Sequence, residues 1–489
     1  MMADEKQGVF DTSRAEFLVK ELREHFDSGK TKSYAWRVSQ LKAILKMVDE
    51  REDEILEALR KDLSKPKAEA SMNEIYLLKS SCQCALKGLK KWMKPKRVIP
   101  SIIALPSSSE IVSEPLGVVL VISAWNYPFL LSIDPVIGAI AAGNAVVLKP
   151  SEVAPVSSKL LADLLPQYVD NSAIRVVEGG KHETTVLLEQ KWDKIFYTGN
   201  SRVGRIVMSA AAKHLTPVAL ELGGKCPAVV DSNVDLQVAA RRIVAGKWAC
   251  NNGQTCVDVD YVITTKNFAP KLIDALRVQL ERFFGEDPLN SKDMSRIINL
   301  NHFTRLKKLL HEEGVSSKIV LGGHADEEQL KMAPTILLDP PEDSLVMTEE
   351  IFGPLLPIVT VDTVDDSFGL ISSKPKPLAA YLFTNDKKLK KKFVDTISAG
   401  GVAINDTLLH LTVSGLPFGG VGESGLGSYH GKFSFDAFSH KKAVLYRCFF
   451  ADIPIRYPPY SARKLSMFNA VTSLNLIGLI QAAIPCFKA

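Results

Sequence analysis

The run Leu116-Gly117-Val118-Val119-Leu120-Val121-Ile122-Ser123 decides the architecture. Its apolar residues do not alternate with polar ones, which marks a strand buried on both faces, and such strands belong to parallel sheets covered by helices. Downstream the pattern switches back and forth. Phe129–Ala142, Ser157–Tyr168 and Val203–Lys213 have helical spacing, whereas Asn144–Lys149, Ile174–Glu178, Lys194–Thr198 and Pro217–Leu222 read as strands. Strands alternating with helices through short Gly- or Pro-containing links predict a doubly wound α/β unit, whose ligands sit at the carboxyl ends of the strands. Gly223-Gly224 is a natural boundary, and a second α/β alternation runs from Pro227 to about Gly422. Two such halves predict a cleft between them, where a reaction would take place. Upstream, Ser13–His25 and Trp36–Leu63 carry helical periodicity, Pro95 and Pro100 close that region, and Ile102–Val112 reads as an extended arm.

Bulk properties narrow the function. A chain of 489 residues is too long for one core. The net charge of +5 is small for that length, and the basic group Lys87, Lys90, Lys91, Lys94, Lys96 and Arg97 fits a solvated helix end, so no nucleic-acid partner is expected. Seven cysteines, an odd number without framework spacing, favour a reducing compartment. Metal ligation finds no support: the histidines are isolated, and the only close cysteine pair is Cys82-Gln83-Cys84. Met1–Phe10 has neither a secretory nor an organelle-targeting composition, and a cytoplasmic location is expected.

Five clusters carry chemistry. In Gly253-Gln254-Thr255-Cys256 no apolar period buries the cysteine; nearby backbone N–H groups would lower its pKa and hold an oxyanion, although an incidental thiol fits the same loop. Glu221, in Ala219-Leu220-Glu221-Leu222-Gly223-Gly224-Lys225, ends an apolar strand; it is either a general base with a raised pKa or a solvated partner of Lys225. Between Phe196 and Gly204 a strand ends at Gly199 and a helix opens through Gly204, an anion-binding turn of GxxxxG spacing that is weak evidence alone. Lys149-Pro150-Ser151-Glu152 closes another strand. Its charged pair would reach ribose hydroxyls, and Glu152 would disfavour a 2′-phosphate, favouring NAD over NADP. In Trp125-Asn126-Tyr127-Pro128 the Asn126 amide is a candidate oxyanion donor, and the aromatics either line a tunnel or merely pack their own turn.

Together these clusters resemble the aldehyde dehydrogenase superfamily, from about Leu18 to Tyr460. The pair LELGGK and GQTC is highly specific, with Cys256 thirty-five positions after Glu221. Glu349-Glu350-Ile351-Phe352-Gly353-Pro354 and Pro417–Gly425 also match; Gly400-Gly401-Val402, Asn405-Asp406 and Arg456–Pro459 are similar to the class 3, fatty aldehyde dehydrogenase-like branch and its plant members. The resemblance implies oxidation of aldehydes to acids with NAD, NADP also being admissible. Cys256 would be the nucleophile, Asn126 and the Cys256 N–H the oxyanion donors, and Glu221 the base that hydrolyses the thioester. It assigns Lys149, Glu152, Gly199, Gly204, Glu350 and Phe352 to the cofactor, and Tyr127 and Phe418 to the aldehyde tunnel.

The implied organisation has a Rossmann-like cofactor domain (1–96 and 116–223), a catalytic domain (224–436), a bridging arm (97–115 and 437–446) that makes a homodimer, and a tail (447–489). Medium- or long-chain aliphatic or aromatic aldehydes are the implied substrates. One departure stands out: Val257-Asp258-Val259-Asp260 follows the nucleophile where the family commonly has a small residue, then Pro and Asp, so Asp258 is expected to reshape the tunnel or repel anions. Cys250 stands six positions upstream of Cys256, within the range of an inactivating bridge. Leu465–Phe487 mixes apolar with polar residues; it is either an interfacial helix, associated with the endoplasmic reticulum membrane, or a segment docked on protein. Two rival readings are a thiol esterase or acyltransferase that needs no dinucleotide and an inactive scaffold relative.

Overall fold

The computed structural model describes residues 10–101, 104–450, 452 and 454–474. They fall into two compact units, one within Met1–Leu89 and Pro115–Phe438, the other within Lys90–Glu114 and Ser439–Ala489.

The larger unit is built on two sheets. The first has six strands in the spatial order Gly425–Leu426, Val218–Glu221, Lys194–Thr198, Val118–Ile122, Ala145–Lys149 and Ile174–Val176. All its neighbours are parallel except Gly425–Leu426, which runs antiparallel to Val218–Glu221. Val118–Ile122 lies in the middle with all five side chains buried, as an unbroken apolar run requires. The register pairs Ile122 with Lys149 and Thr198 with Glu221. The carboxyl ends of four strands are therefore level, and the residues that follow them share one edge.

The second sheet has seven strands, ordered Ile319–Leu321, Thr335–Leu338, Leu355–Val361, Tyr261–Thr265, Pro227–Val230, Ala379–Phe383 and Gly401–Ile404. Only Ile319–Leu321 is antiparallel to its neighbour. Phe303, Leu306, Met347, Ile351, Leu382 and Phe393 pack into one buried cluster on this half.

Several expectations shift. The helical stretch Trp36–Leu63 divides into Tyr34–Glu50 and Glu52–Leu63, because Arg51 leaves the helical region at φ −115°, ψ 19°. A helix at Lys181–Leu188 was not legible in the sequence; the Glu183 carboxylate anchors its start by accepting from the Gly180 N–H at 2.7 Å. The second half of the chain also does not stay with the second sheet, since Gly425–Leu426 returns to the first.

The smaller unit holds a three-stranded sheet in the order Lys96–Val98, Ser107–Pro115 and Ser439–Arg447. Lys442 pairs with Glu114, Lys441 donates to Ser113 Oγ at 2.8 Å, and Tyr446 donates to Glu110 at 2.8 Å. Ile102 and Ile103 of the expected arm lie outside the described residues. In the tail a helix covers Ala462–Thr472, while residues 475–489 lie outside the described part. No helix among the described residues is long and apolar enough to cross a membrane.

Candidate active site

Cys256 follows a tight buried loop. Asn251 and Asn252 adopt left-handed backbone at φ 54° and 50°, a conformation asparagine tolerates better than most residues. Gly253, at φ +78°, lies where a Cβ would come within 2.2 Å of the Gly353 carbonyl oxygen. Asn251, Asn252, Gln254 and Thr255 are buried, so the lack of apolar periodicity did not mean exposure. Gln254 explains this: its amide donates to the Asn251 and Arg296 carbonyls and accepts from the Ile298 N–H, so hydrogen bonds rather than apolar packing hold it inside.

Asn126 and Tyr127, which follow the Val118–Ile122 strand, are tied to this loop. Asn126 Nδ2 donates to the Gln254 carbonyl at 3.1 Å, and the Tyr127 hydroxyl bonds to Thr255 Oγ1 at 2.8 Å. Cys256 lies at the wall of a cavity of about 530 Å³ that Tyr127, Phe418, Tyr429 and His430 also line. Phe418 stacks on His430 at 5.1 Å and meets Tyr429 edge-on. Four of the sequence candidates thus converge: Asn126 braces the cysteine loop, while Cys256, Tyr127 and Phe418 share the cavity.

The carboxylates divide sharply. Lys225 does not neutralise Glu221. Its ammonium pairs with Asp260 and donates to the Val346 and Glu349 carbonyls. Glu221 is buried, and neither of its carboxyl oxygens meets a donor among the described residues. Burial alone pushes it well above the ordinary carboxylate range. Glu350 rests on the Gly223-Gly224 turn, where a Cβ on Gly223 would lie 2.1 Å from its oxygen, and it accepts from the Gly224 N–H at 3.0 Å. Burial raises it to about 8, against that hydrogen bond.

The Cys256 thiol is raised by burial first and then by Glu350, Glu221 and Asp258. This corrects the expectation of a lowered thiol: the backbone N–H acts in that direction but is outweighed. Asp258 is not a lone charge in the tunnel either. It is buried and paired with Lys247 Nζ at 2.6 Å. Cys250 and Cys256 are both free thiols, and Cys250 accepts from Asn73 Nδ2 at 3.8 Å.

The remaining candidates lie along the carboxyl edge of the first sheet. Lys149 is buried at its strand end and pairs with the exposed Glu152 carboxylate at 2.6 Å; neither lines the cavity. Gly199 has no room for a side chain, because a Cβ there would meet the Tyr197 hydroxyl at 2.2 Å. Gly204 faces inward, its missing Cβ 3.1 Å from Leu222, which lets the helix Ser201–Ala212 approach the sheet. Thr198 Oγ1 is buried without a partner beside that helix start. Phe352, at φ 50°, packs edge-on against Trp125 at 5.4 Å. A nucleotide fits these features: a helix amino terminus for phosphates, a hydroxyl without a partner among the described residues at the strand end before it, and a cation–carboxylate pair two strands away on the same edge.

The aldehyde dehydrogenase family model matches residues 9–444. The chain belongs to the aldehyde dehydrogenase family. It is 64% identical over 473 residues to aldehyde dehydrogenase family 3 member H1 of Arabidopsis thaliana, covering 97% of this chain and 98% of that protein. Family 3 member A2 of Rattus norvegicus is 46% identical over 450 residues, 92% of each chain. The substrate-bound state of Staphylococcus aureus AldH is similar in structure, with a TM-score of 0.90, 42% identity, and coverage of 94% of this chain and 99% of that one. An aldehyde dehydrogenase of Mycobacterium tuberculosis complexed with NAD+ gives a TM-score of 0.81 at 26% identity, covering 90% and 92%.

Sequence reasoning missed the polar support of this aldehyde dehydrogenase site. Lys65, Glu69 and Glu74 are buried in a region that reads as ordinary charged helix. The available signal was Ser64-Lys65-Pro66, a helix break that carries a charge.

Proposed function

We propose that this enzyme oxidises medium- to long-chain aliphatic or aromatic aldehydes to carboxylic acids with NAD(P), through a covalent adduct on Cys256. One observation carries the reading: Cys256 stands at the wall of a largely apolar cavity, with the Asn126 amide on its loop, and the buried Glu221 carboxyl, without a donor among the described residues, is one of the charges that raise its thiol.

The steps follow from the residues. The Cys256 thiol gives its proton to the Glu221 carboxylate, which passes it on to water, and the sulfur bonds to the aldehyde carbon as the carbonyl oxygen gains the charge. Asn126 Nδ2 has a second N–H beyond the one given to Gln254, which with the Cys256 N–H would hold that oxyanion. When bound, NAD(P) supplies a hydride-accepting ring. Release of hydride from the adduct leaves a thioester on Cys256, and covalent catalysis has then divided one hard step into two easier ones. Glu221 takes a proton from water, the hydroxide attacks the thioester carbon, and the acid departs as the thiol is restored. Lys149, Glu152 and the turn at Gly199 would hold the adenosine side of the dinucleotide, with Glu350 and Phe352 toward its reactive ring. The thiol esterase and inactive-scaffold readings have no support from the family comparison.

The smaller unit supports a dimer. Ser439–Arg447 is an edge strand of nine residues with Leu445 and Tyr446 exposed, a surface fit to extend across to a second copy. Cys256→Ser tests the main reading. NADH formation across an aldehyde panel should fall below detection while the folded protein still binds NAD; undiminished turnover would overturn the assignment.

A further inference from the structure

We infer that the buried Lys65–Glu74 ion pair is a positioning element of the catalytic site, acting through Asn126. The inference rests on the oxyanion role proposed for that amide. Lys65 follows the helix Glu52–Leu63, whose end turns at Ser64 with φ 52°, and both side chains of the pair are fully buried.

The lysine's surroundings account for its ammonium group. Nζ donates to Glu74 Oε1 at 2.7 Å and to the Asn126 carbonyl at 2.8 Å, and it lies 3.9 Å from the centre of the Tyr127 ring. Glu74 belongs to a π-helical turn, Ser71–Tyr76, and its other oxygen accepts from the Phe129 and Leu130 N–H groups at 2.9 and 3.2 Å. The pair therefore grips the Asn126–Leu130 segment at both ends. A second anchor comes from the cysteine loop, where Asn251 Nδ2 donates to the same Asn126 carbonyl at 2.9 Å. The Asn251 N–H is held in turn by Glu69 at 2.7 Å.

Lys65 and the cysteine loop converge on the carbonyl of the one residue whose amide braces that loop, while Glu74 fixes the same segment three and four residues further on. With its carbonyl fixed from two sides, the Asn126 peptide cannot rotate, and its amide is aimed before substrate arrives. π-Helical turns commonly mark such functional departures from regular helix. Burying two charges is a weak way to stabilise a fold, because desolvation offsets their attraction, so precision of placement is the more economical explanation.

The test is a mutant cycle with the neutral pair Lys65→Met/Glu74→Gln, which removes both charges of the pair together. Placed in the wild-type enzyme it should lower kcat about 30-fold, a part of the roughly 100- to 1,000-fold that loss of an oxyanion donor costs. KM should move less than twofold, and alkylation of Cys256 by iodoacetamide, which forms no oxyanion, should keep its rate. Placed on top of Asn126→Ala, the neutral pair should have no further effect on kcat. Equal losses in both backgrounds would overturn the inference, as would wild-type kcat in the neutral pair. Full activity in Asn126→Ala alone would instead overturn the oxyanion reading. Lys65→Gln/Glu74→Gln, which removes both charges but keeps a hydrogen-bonding side chain at each position, should show the same dependence on Asn126 and keeps the test decisive if the Met-containing pair does not fold.

Discussion

The two sides of the Cys256 loop handle charge in opposite ways. Beneath it stand three ion pairs, Lys65 with Glu74, Lys247 with Asp258 and Lys225 with Asp260, and the buried Glu69 accepts from the Asn251 N–H and the Ser295 hydroxyl. On the reacting side Glu221 has no partner, and Glu350 has only a backbone N–H. A buried pair costs desolvation but holds position, whereas a buried carboxyl without a donor is held near neutrality and is ready to exchange a proton. Under the proposed mechanism the contrast sets paired groups that locate apart from Glu221, the carboxyl that exchanges a proton.

Removing the reactive carboxyl should break that contrast most severely. Glu221→Gln is expected to slow thioester hydrolysis by roughly 100- to 10,000-fold, the range of general-base catalysis. Rapid mixing should then show one equivalent of NADH per site followed by a slow phase, with the acyl group found on Cys256 by mass spectrometry. Because burial raises the Glu221 carboxyl, its ionised fraction grows with pH. Hydrolysis by the natural enzyme should accordingly keep speeding up as pH rises beyond the ordinary carboxylate range, and the Gln variant should show a flat profile. Next in size, Asn126→Ala should lower kcat by roughly 100-fold or more with KM little changed.

On the paired side the effects should appear in stability. Lys247→Met leaves Asp258 buried without its cation, an expected loss of roughly 3 kcal/mol in urea unfolding, and adding Asp258→Ala should restore most of it. A pH dependence sharpens the contrast from the other side. Glu350 has a folded value of about 8, above the ordinary 4.5, so the folded protein holds more protons between those limits and loses stability as pH rises through them. The slope should be on the order of 1 kcal/mol per pH unit between about pH 5 and 8, and Glu350→Gln should remove that contribution from the unfolding curves.

How much was readable in advance follows the same division. Local pattern was enough for Lys194–Thr198, predicted residue for residue, and for the strand at Val118–Ile122, because an unbroken apolar run has few alternatives. Cys256, Glu221 and Asn126 were readable as candidates because each stands at a break in pattern, after a strand or in a glycine-containing loop. What stayed hidden depends on partners far along the chain. Lys65 reads as one more charge until Asn126 is folded onto it sixty-one positions later. Asp258 reads as a repulsive intruder until Lys247 neutralises it. The level of the Cys256 thiol was misjudged because burial, which the polar composition of its loop conceals, raises it first, with Glu350, Glu221 and Asp258 adding to it.

The return of Gly425–Leu426 to the first sheet has a consequence for synthesis. Leu426 pairs with Leu220, Gly425 with Glu221, and the Leu222 N–H donates to the Ser424 carbonyl at 3.1 Å. The strand bearing Glu221 therefore keeps an open edge on the ribosome until nearly all of the chain has emerged. Nascent chains stalled before residue 424 would present that bare edge to one another, and truncation there should yield aggregates rather than a working half.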